Sequence, residues 1–270
     1  YMNKIKVSIP GGNGRMGKTL IGLILENEQL IMGNASCLPD EQEKGMDLGL
    51  LVGKNKIDKY LTDKKNFIFQ DTDVVIDFTV PEASIAHAET ASQKQIPIVI
   101  GTTGFNEKEI IKLKELSKKI PIVLSANFSI GISVMQDLVD DAVKKLGMEW
   151  DIEVLETHHN KKIDSPSGTA LLIADAAAKA RSQDLNDVMN VSRNGIIGQR
   201  KKEEIGVAVL RGGDVVGEHS IRFYNSNERI EINHIATNRS IFAKGAIRSA
   251  IWAYSSGPGF FSLKDVIKHN

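Results

Sequence analysis

From Ile5 to about Ser129, short apolar runs alternate with polar amphipathic segments, as in a parallel sheet whose strands are joined by crossover helices. Strands are predicted at Ile5–Ile9, Leu30–Ala35, Val74–Phe78, Ile96–Ile100 and Pro121–Ser125, the last three marked by β-branched residues. Helices are predicted at Arg15–Asn27, Pro81–Gln95, Glu107–Lys118 and Ser129–Leu146. Between Pro39 and Lys65 the chain is polar and weakly periodic, which reads as a long surface excursion outside the core.

After Trp150 the pattern changes. Asp151–Glu156 reads as a strand and Ala170–Arg181 as a helix, while Ile205–Leu210, Val215–Tyr224 and Arg229–Ile235 read as antiparallel strands joined by tight turns. Those turns, Arg211–Asp214 and Asn225–Asn227, are rich in residues that tolerate positive φ. Ile241–Tyr254 is helical again, so the chain is expected to return to its first domain. The expected fold class is α/β: a Rossmann-like doubly wound parallel sheet plus a second α+β domain with a mixed, largely antiparallel sheet. The expected division is 1–129 with 237–270, and 130–236.

Composition narrows the functions. With 270 residues and 41% hydrophobic content the chain can bury a substantial core. Its 34 basic and 34 acidic residues cancel, so no global field draws it to nucleic acid or to an anionic membrane, and any anion site must be local. The single cysteine, Cys37, excludes an internal disulfide and a cysteine-rich metal site, and fits the cytoplasm. Lys4 and Lys6 precede only one short apolar strand, too short for a signal peptide, and no run approaches the roughly 20 apolar residues of a membrane span.

Gly11-Gly12-Asn13-Gly14-Arg15-Met16-Gly17 follows the first strand and opens the first helix, the setting in which spaced glycines signal dinucleotide binding. Glycine lets the backbone approach a pyrophosphate, and the helix start offers amides and partial positive charge, to which Arg15 adds. Asn13 stands where glycine is frequent but adopts left-handed backbone readily. Where an acidic ribose ligand is expected after the second strand, the chain has Ser36, Cys37, Leu38 and Pro39. Three further strand ends carry small or hydroxyl-bearing residues suited to a flat nicotinamide: Asp77-Phe78-Thr79, Gly101-Thr102-Thr103-Gly104 and Ser125-Ala126-Asn127-Phe128.

The most informative stretch runs from Glu156 to Thr169. His158 and His159 point to opposite sides of an extended chain and no third ligand follows, so a zinc site is rejected. Two imidazoles with Lys161 and Lys162 before a helix start make a local anion site, where the amides of Gly168 and Thr169 can hold a carboxylate and Ser165 or Ser167 caps the helix. Hydride addition to a C=N or conjugated carbon calls for a proton, which Lys162 or His158 can supply. A two-domain amino-acid dehydrogenase would share the glycine loop but needs no such cluster.

These residues resemble the bacterial dihydrodipicolinate reductase family, also called 4-hydroxy-tetrahydrodipicolinate reductase, over essentially the whole chain. Glu156-Thr157-His158-His159-Asn160-Lys161-Lys162-Ile163-Asp164-Ser165-Pro166-Ser167-Gly168-Thr169-Ala170 is similar to the signature E-x-H-H-x-x-K-x-D-A-P-S-G-T-A, with Ser165 for the usual alanine. The resemblance implies that His158 is an acid/base residue, Lys162 the proton donor, and His159, Gly168 and Thr169 ligands of a small dicarboxylate. It implies that Gly11–Met16, Gly101–Thr103 and Ser125–Phe128 contact NADH or NADPH, and that the protein is a homotetramer formed through its second domain. Cys37 and Leu38 depart from the family's usual acidic and basic residues and leave the choice of dinucleotide open.

Overall fold

The computed structural model describes residues 4–268, apart from the Lys65 side chain. The chain divides into two compact units, Tyr1–Ser129 with Ser240–Asn270, and Ile130–Arg239.

The first unit begins β1 (Ile5–Pro10), α1 (Arg15–Glu26), β2 (Leu30–Ser36) and the one-turn α2 (Leu48–Leu51). It continues through β3 (Val74–Asp77), α3 (Pro81–Lys94), β4 (Ile98–Ile100), α4 (Glu107–Leu116) and β5 (Pro121–Leu124). The second unit holds α5 (Ile130–Leu146), β6 (Asp151–His158), α6 (Gly168–Ala180), α7 (Leu185–Val188), β7 (Met189–Asn190), β8 (Ile205–Arg211), β9 (Gly217–Tyr224) and β10 (Arg229–Ala236). The chain then returns to the first unit as α8 (Ser240–Tyr254), β11 (Gly259–Phe261) and α9 (Leu263–Lys268).

In the first unit a six-stranded sheet has the order β11-β5-β4-β3-β1-β2, with every pairing parallel. Such a sheet is covered on both faces, so its central strands are apolar at consecutive positions. Val74, Val75 and Ile76, and Ile98, Val99 and Ile100, are fully buried. Alternation sends Val74, Ile76 and Val99 to a core shared with Leu20 and Ile24 of α1 and Ala246 and Ala250 of α8. Val75, Ile98 and Ile100 face the opposite core with Ala88 of α3 and Leu113 of α4. The strand order reverses direction between β1 and β3, where the crevice at the carboxyl ends of an open α/β sheet lies. β11 was not predicted: three residues, Gly259-Phe260-Phe261, carry no periodic signal.

The segment from Pro39 to Lys65 is not simply a surface excursion. Leu48 and Leu61 are buried in the first unit's core, and the buried Asp47 carboxylate accepts from the amides of Gly49, Leu50 and Ile57 at 2.9 to 3.2 Å. Isolated apolar residues that reach the core across loops leave no period to read.

The second unit's sheet has the order β10-β9-β6-β8-β7. β6–β9 and β9–β10 are antiparallel, whereas β8 pairs parallel with β6 and β7. The expected hairpin at Arg211–Asp214 is therefore absent: β6 lies between β8 and β9, and that turn carries the chain across it. Positive φ occurs there at Gly213; Asn225–Asn227 does join a hairpin, but without positive φ. α5 and α6 cover one face of this sheet through Ile132, Met135, Val139, Ile173 and Ala177, packed on Ile152, Val154, Ile205, Val207, Ile221 and Phe223.

α8 lies close against its neighbours because Ala243, Gly245, Ala246, Ser249 and Ala250 are small. A methyl group on Gly245 would overlap the Phe128 carbonyl oxygen, whereas one on Gly22 of α1 would meet nothing within 4 Å. Gly245→Ala is therefore expected to destabilise by about 1–3 kcal/mol. Gly22→Ala is expected to stabilise by up to about 1 kcal/mol. Urea unfolding of the two variants measures the difference.

Candidate active site

The expected dinucleotide residues all lie at carboxyl ends of β1, β4 and β5 in the first unit. Gly11 takes φ +67°, and Asn13 does not adopt the left-handed conformation. A methyl on Gly17 would lie 2.7 Å from the Gly12 Cα, so this loop packs backbone on backbone. The Gly12 amide donates to the Ser36 carbonyl at 2.8 Å and the Gly14 amide to Gly11 at 3.0 Å, which hold the loop's shape. Arg15 and Met16 open α1, whose first-turn amides lack intrahelical acceptors, and Gly14 caps it without a side chain. The result is a cradle bare of side chains at a helix start, which fits a pyrophosphate.

Around it, Thr102 is buried and its hydroxyl bonds Ser84 Oγ at 2.7 Å, while Thr103 is exposed. A side chain on Gly101 would clash with the Phe78 ring, which packs on Phe128 with centroids 5.7 Å apart. Phe128 is buried, so its ring serves packing. Ser125 Oγ donates to the Asn127 carbonyl at 2.7 Å, and Ala126 is exposed. β2 ends without a carboxylate, but Glu43 folds back to the glycine loop and accepts from Lys18 at 2.8 Å and Asn13 at 3.4 Å. Its acidity is raised mainly by the Lys18 hydrogen bond.

In the second unit the histidine–lysine segment runs from the end of β6 to the start of α6. β6 alternates, and the row that buries Ile152 and Val154 continues as Glu156 and His158. Register places Val209 and His219 beside Glu156, and Arg211 beside His158. The inner face thus changes from apolar to titratable in its last two rungs.

Glu156 is fully buried. Its Oε2 accepts from His158 Nδ1 at 2.6 Å and Arg211 Nη1 at 2.8 Å; its Oε1 accepts from Arg211 Nη2 at 3.0 Å and the Ser167 amide at 2.8 Å. Burial pushes this carboxyl up, but the bonds from Arg211, His158 and Ser167 outweigh it and hold the group below its ordinary value. Arg211 Nη2 also donates to the Asp164 carbonyl at 2.9 Å. Ser167, not Ser165, caps α6, its Oγ accepting from the Ala170 amide at 3.1 Å, so Gly168 and Thr169 are the first helical residues and Pro166 precedes the cap.

Lys162 Nζ donates to both oxygens of Asp164 at 2.9 Å, and this hydrogen bond lowers the Asp164 pKa. His159 Nε2 lies 2.9 Å from Arg239 Nη2; burial, and then the Arg239 charge, lower its pKa. His219 bonds Ser167 Oγ through Nε2 at 3.1 Å and meets the His158 ring edge-on at 5.2 Å. Glu156, Arg211, His219 and Arg239 were given no role from sequence, and Ser167 only that of a helix cap. Glu156 and Ser167 lie in the segment singled out by sequence, whereas Arg211, His219 and Arg239 come from distant elements. Among the described residues no group of three or more His, Cys, Asp or Glu is placed to hold a metal ion.

Comparison with known proteins covers both units. The family described as dihydrodipicolinate reductase, N-terminus, matches residues 5–128, and its C-terminus counterpart matches 131–267. The 4-hydroxy-tetrahydrodipicolinate reductase of Geotalea daltonii is 41% identical over 263 residues, 97% of this chain and 98% of that one. The enzyme of the same name from Parvibaculum lavamentivorans is 44% identical over 264 residues, 97% of each chain. The dipicolinate-bound dihydrodipicolinate reductase of Paenisporosarcina sp. TG-14 superposes with a TM-score of 0.74 at 22% identity, covering 97% of this chain and 99% of that one.

Burial lowers the His219 pKa from 6.5 to about 4. Below pH 6.5 the unfolded chain takes up a proton that the folded chain refuses, so this contribution is complete above pH 6.5 and is lost as pH falls toward 4. At about 1.4 kcal/mol per pH unit the loss is on the order of 3 kcal/mol. Urea unfolding at pH 7 and pH 5 should show a smaller acid penalty for His219→Gln than for the parent; His159 and His234, also held low, preserve part of the slope.

Proposed function

The chain belongs to the dihydrodipicolinate reductase family, and on that premise we propose that His158 and Lys162 are its acid/base pair, with His159, Gly168 and Thr169 as ligands of the substrate carboxylates. The protein is an oxidoreductase that converts (2S,4S)-4-hydroxy-2,3,4,5-tetrahydrodipicolinate to tetrahydrodipicolinate with a nicotinamide dinucleotide, a step of lysine and diaminopimelate biosynthesis. Hydride and a proton enter and water leaves, so the protein's residues must bind two carboxylates and manage protons. The observation that carries the assignment is the buried bond from His158 to Glu156 on the strand that leads directly to Lys162 and the α6 start.

A bound NADH or NADPH supplies the hydride, and we assign its contacts to Gly11, Gly12, Asn13, Gly14, Arg15 and Met16, to Gly101, Thr102 and Thr103, and to Ser125, Ala126, Asn127 and Phe128. Gly11–Met16 supply the anion cradle and helix-start amides for the pyrophosphate. Gly101 admits the Phe78 ring beneath that strand end. Because Gly12 and Phe128 are buried, their share falls to backbone atoms.

On the substrate side, the α6 start favours a carboxylate, and Lys162, whose side chain is 18% exposed, adds an ammonium. Its partner Asp164 is largely exposed, and exposed ion pairs are worth about 0–1 kcal/mol, so Lys162 can exchange it for substrate at little cost. The dicarboxylate in the Paenisporosarcina relative is consistent with this ligand class.

A homotetramer is the assembly we infer. The second sheet's face away from α5 and α6 carries Leu155, Ala208, Leu210 and Ile235 at adjoining rungs, with Leu210 52% and Ile235 65% exposed. No helix among the described residues is long and apolar enough to cross a membrane, and the substrate and reductant class point to the cytoplasm.

Expression in a strain lacking this reductase should restore growth without lysine and diaminopimelate; failure of folded protein to do so would contradict the assignment. Lys162→Ala and His158→Gln should each lower kcat by about 10²–10⁴-fold while changing dinucleotide Kd little. Pyridine-2,6-dicarboxylate should compete with substrate, read as a rise in apparent KM at constant kcat.

A further inference from the structure

We propose that the Arg211–Glu156 pair is a positioning device: it holds His158 as the Nδ1–H tautomer with Nε2 presented, and it anchors the loop that carries Lys162. This rests on the reading that His158 acts on the substrate.

Four contacts converge on one carboxylate from β6, β8 and the start of α6. An ionised carboxylate only accepts hydrogen bonds, and the pairing with Arg211 keeps Glu156 ionised despite complete burial. Nδ1 of His158 must therefore be the donor at 2.6 Å, which leaves the lone pair of the neutral ring on Nε2. Nε2 faces Gly217, where an added methyl would come within 3.0 Å of it. That position is the rung of β9 beyond the Glu156–His219 pair.

The same pair holds the substrate loop. Glu156 Oε1 receives the Ser167 amide and Arg211 Nη2 reaches the Asp164 carbonyl, so Ser167 is tied to β6, which bears His158, and Asp164 to its neighbour β8. Loss of this anchor would displace the proton donor as well as the imidazole. The glycine loop belongs to the other unit, so dinucleotide affinity is expected to be nearly unaffected.

The charged and titratable groups beside His158 are Glu156 on its own strand, Arg211 from β8 and His219 from β9, with His159 following it in the chain. His219 titrates only near 4 and stays neutral over the working range.

Glu156→Gln retains the shape and removes the charge. The expected result is a fall in kcat of roughly 10²-fold or more. Dinucleotide Kd, read by fluorescence titration, should stay within about twofold, because the variant position and the anion cradle belong to different units. The 15N chemical shifts of the His158 ring, which distinguish a protonated from an unprotonated nitrogen, should report the Nδ1–H tautomer in the parent and a mixture of tautomers in Glu156→Gln. If the parent fails to reduce the substrate, the functional reading falls while the ring 15N shifts still decide this proposal. If Glu156→Gln does not fold, Arg211→Lys, which keeps the charge but not the two-pronged contact, should show the same direction with a smaller change. An unchanged Nδ1–H tautomer in a folded variant overturns the proposal, as does equal loss in dinucleotide affinity and kcat.

Discussion

A carboxylate removed from water must be met by donors on every side, and the second unit is organised around that requirement at Glu156. An unpaired buried charge costs several kcal/mol, so Arg211, His158 and the Ser167 amide are structural necessities. The need also accounts for the sheet's mixed order. With β8 parallel to β6 in register, Arg211 ends beside His158 and its two guanidinium nitrogens reach both oxygens of Glu156. A β8–β9 hairpin would leave no place for β6 between them, and would separate Arg211 from that carboxylate.

The first unit solves a different problem by omitting side chains. Gly17 lets α1 start against the loop of Gly11 and Gly12, Gly101 admits the Phe78 ring, and Gly245 brings α8 against the Phe128 backbone. Each is a close approach that a Cβ would prevent. A protein with no net charge can thus hold anions locally, through helix starts and exposed amides on one unit and cationic side chains on the other.

Two ion pairs in the signature segment illustrate how burial divides roles. In Lys162–Asp164 the carboxylate is exposed, and solvent screening there makes exchange of partners inexpensive. Arg211–Glu156 is buried at its carboxylate, where loss of either member would strand the other. Exposure at Asp164 leaves the first pair open to exchange, whereas complete burial at Glu156 fixes the second. His219, kept neutral by burial, lies against the His158 ring and stays uncharged over the working range.

The sequence by itself determined the parallel sheet, the glycine loop at the first strand's end, the return of the last long helix and the histidine–lysine segment. These are local signals: periodicity, chain-adjacent glycines and one contiguous motif. The burial of Leu48 and Leu61, the strand Gly259–Phe261, the parallel placement of β8, the convergence of Arg211 and Ser167 on Glu156 and the bond of His219 to Ser167 were decided only by tertiary structure. Such pairings join residues up to 55 positions apart, and hydrophobic period is silent about which distant strand will be a neighbour. Desolvation acts in three dimensions, so the partners a buried charge acquires depend on which chain segments exclude water together.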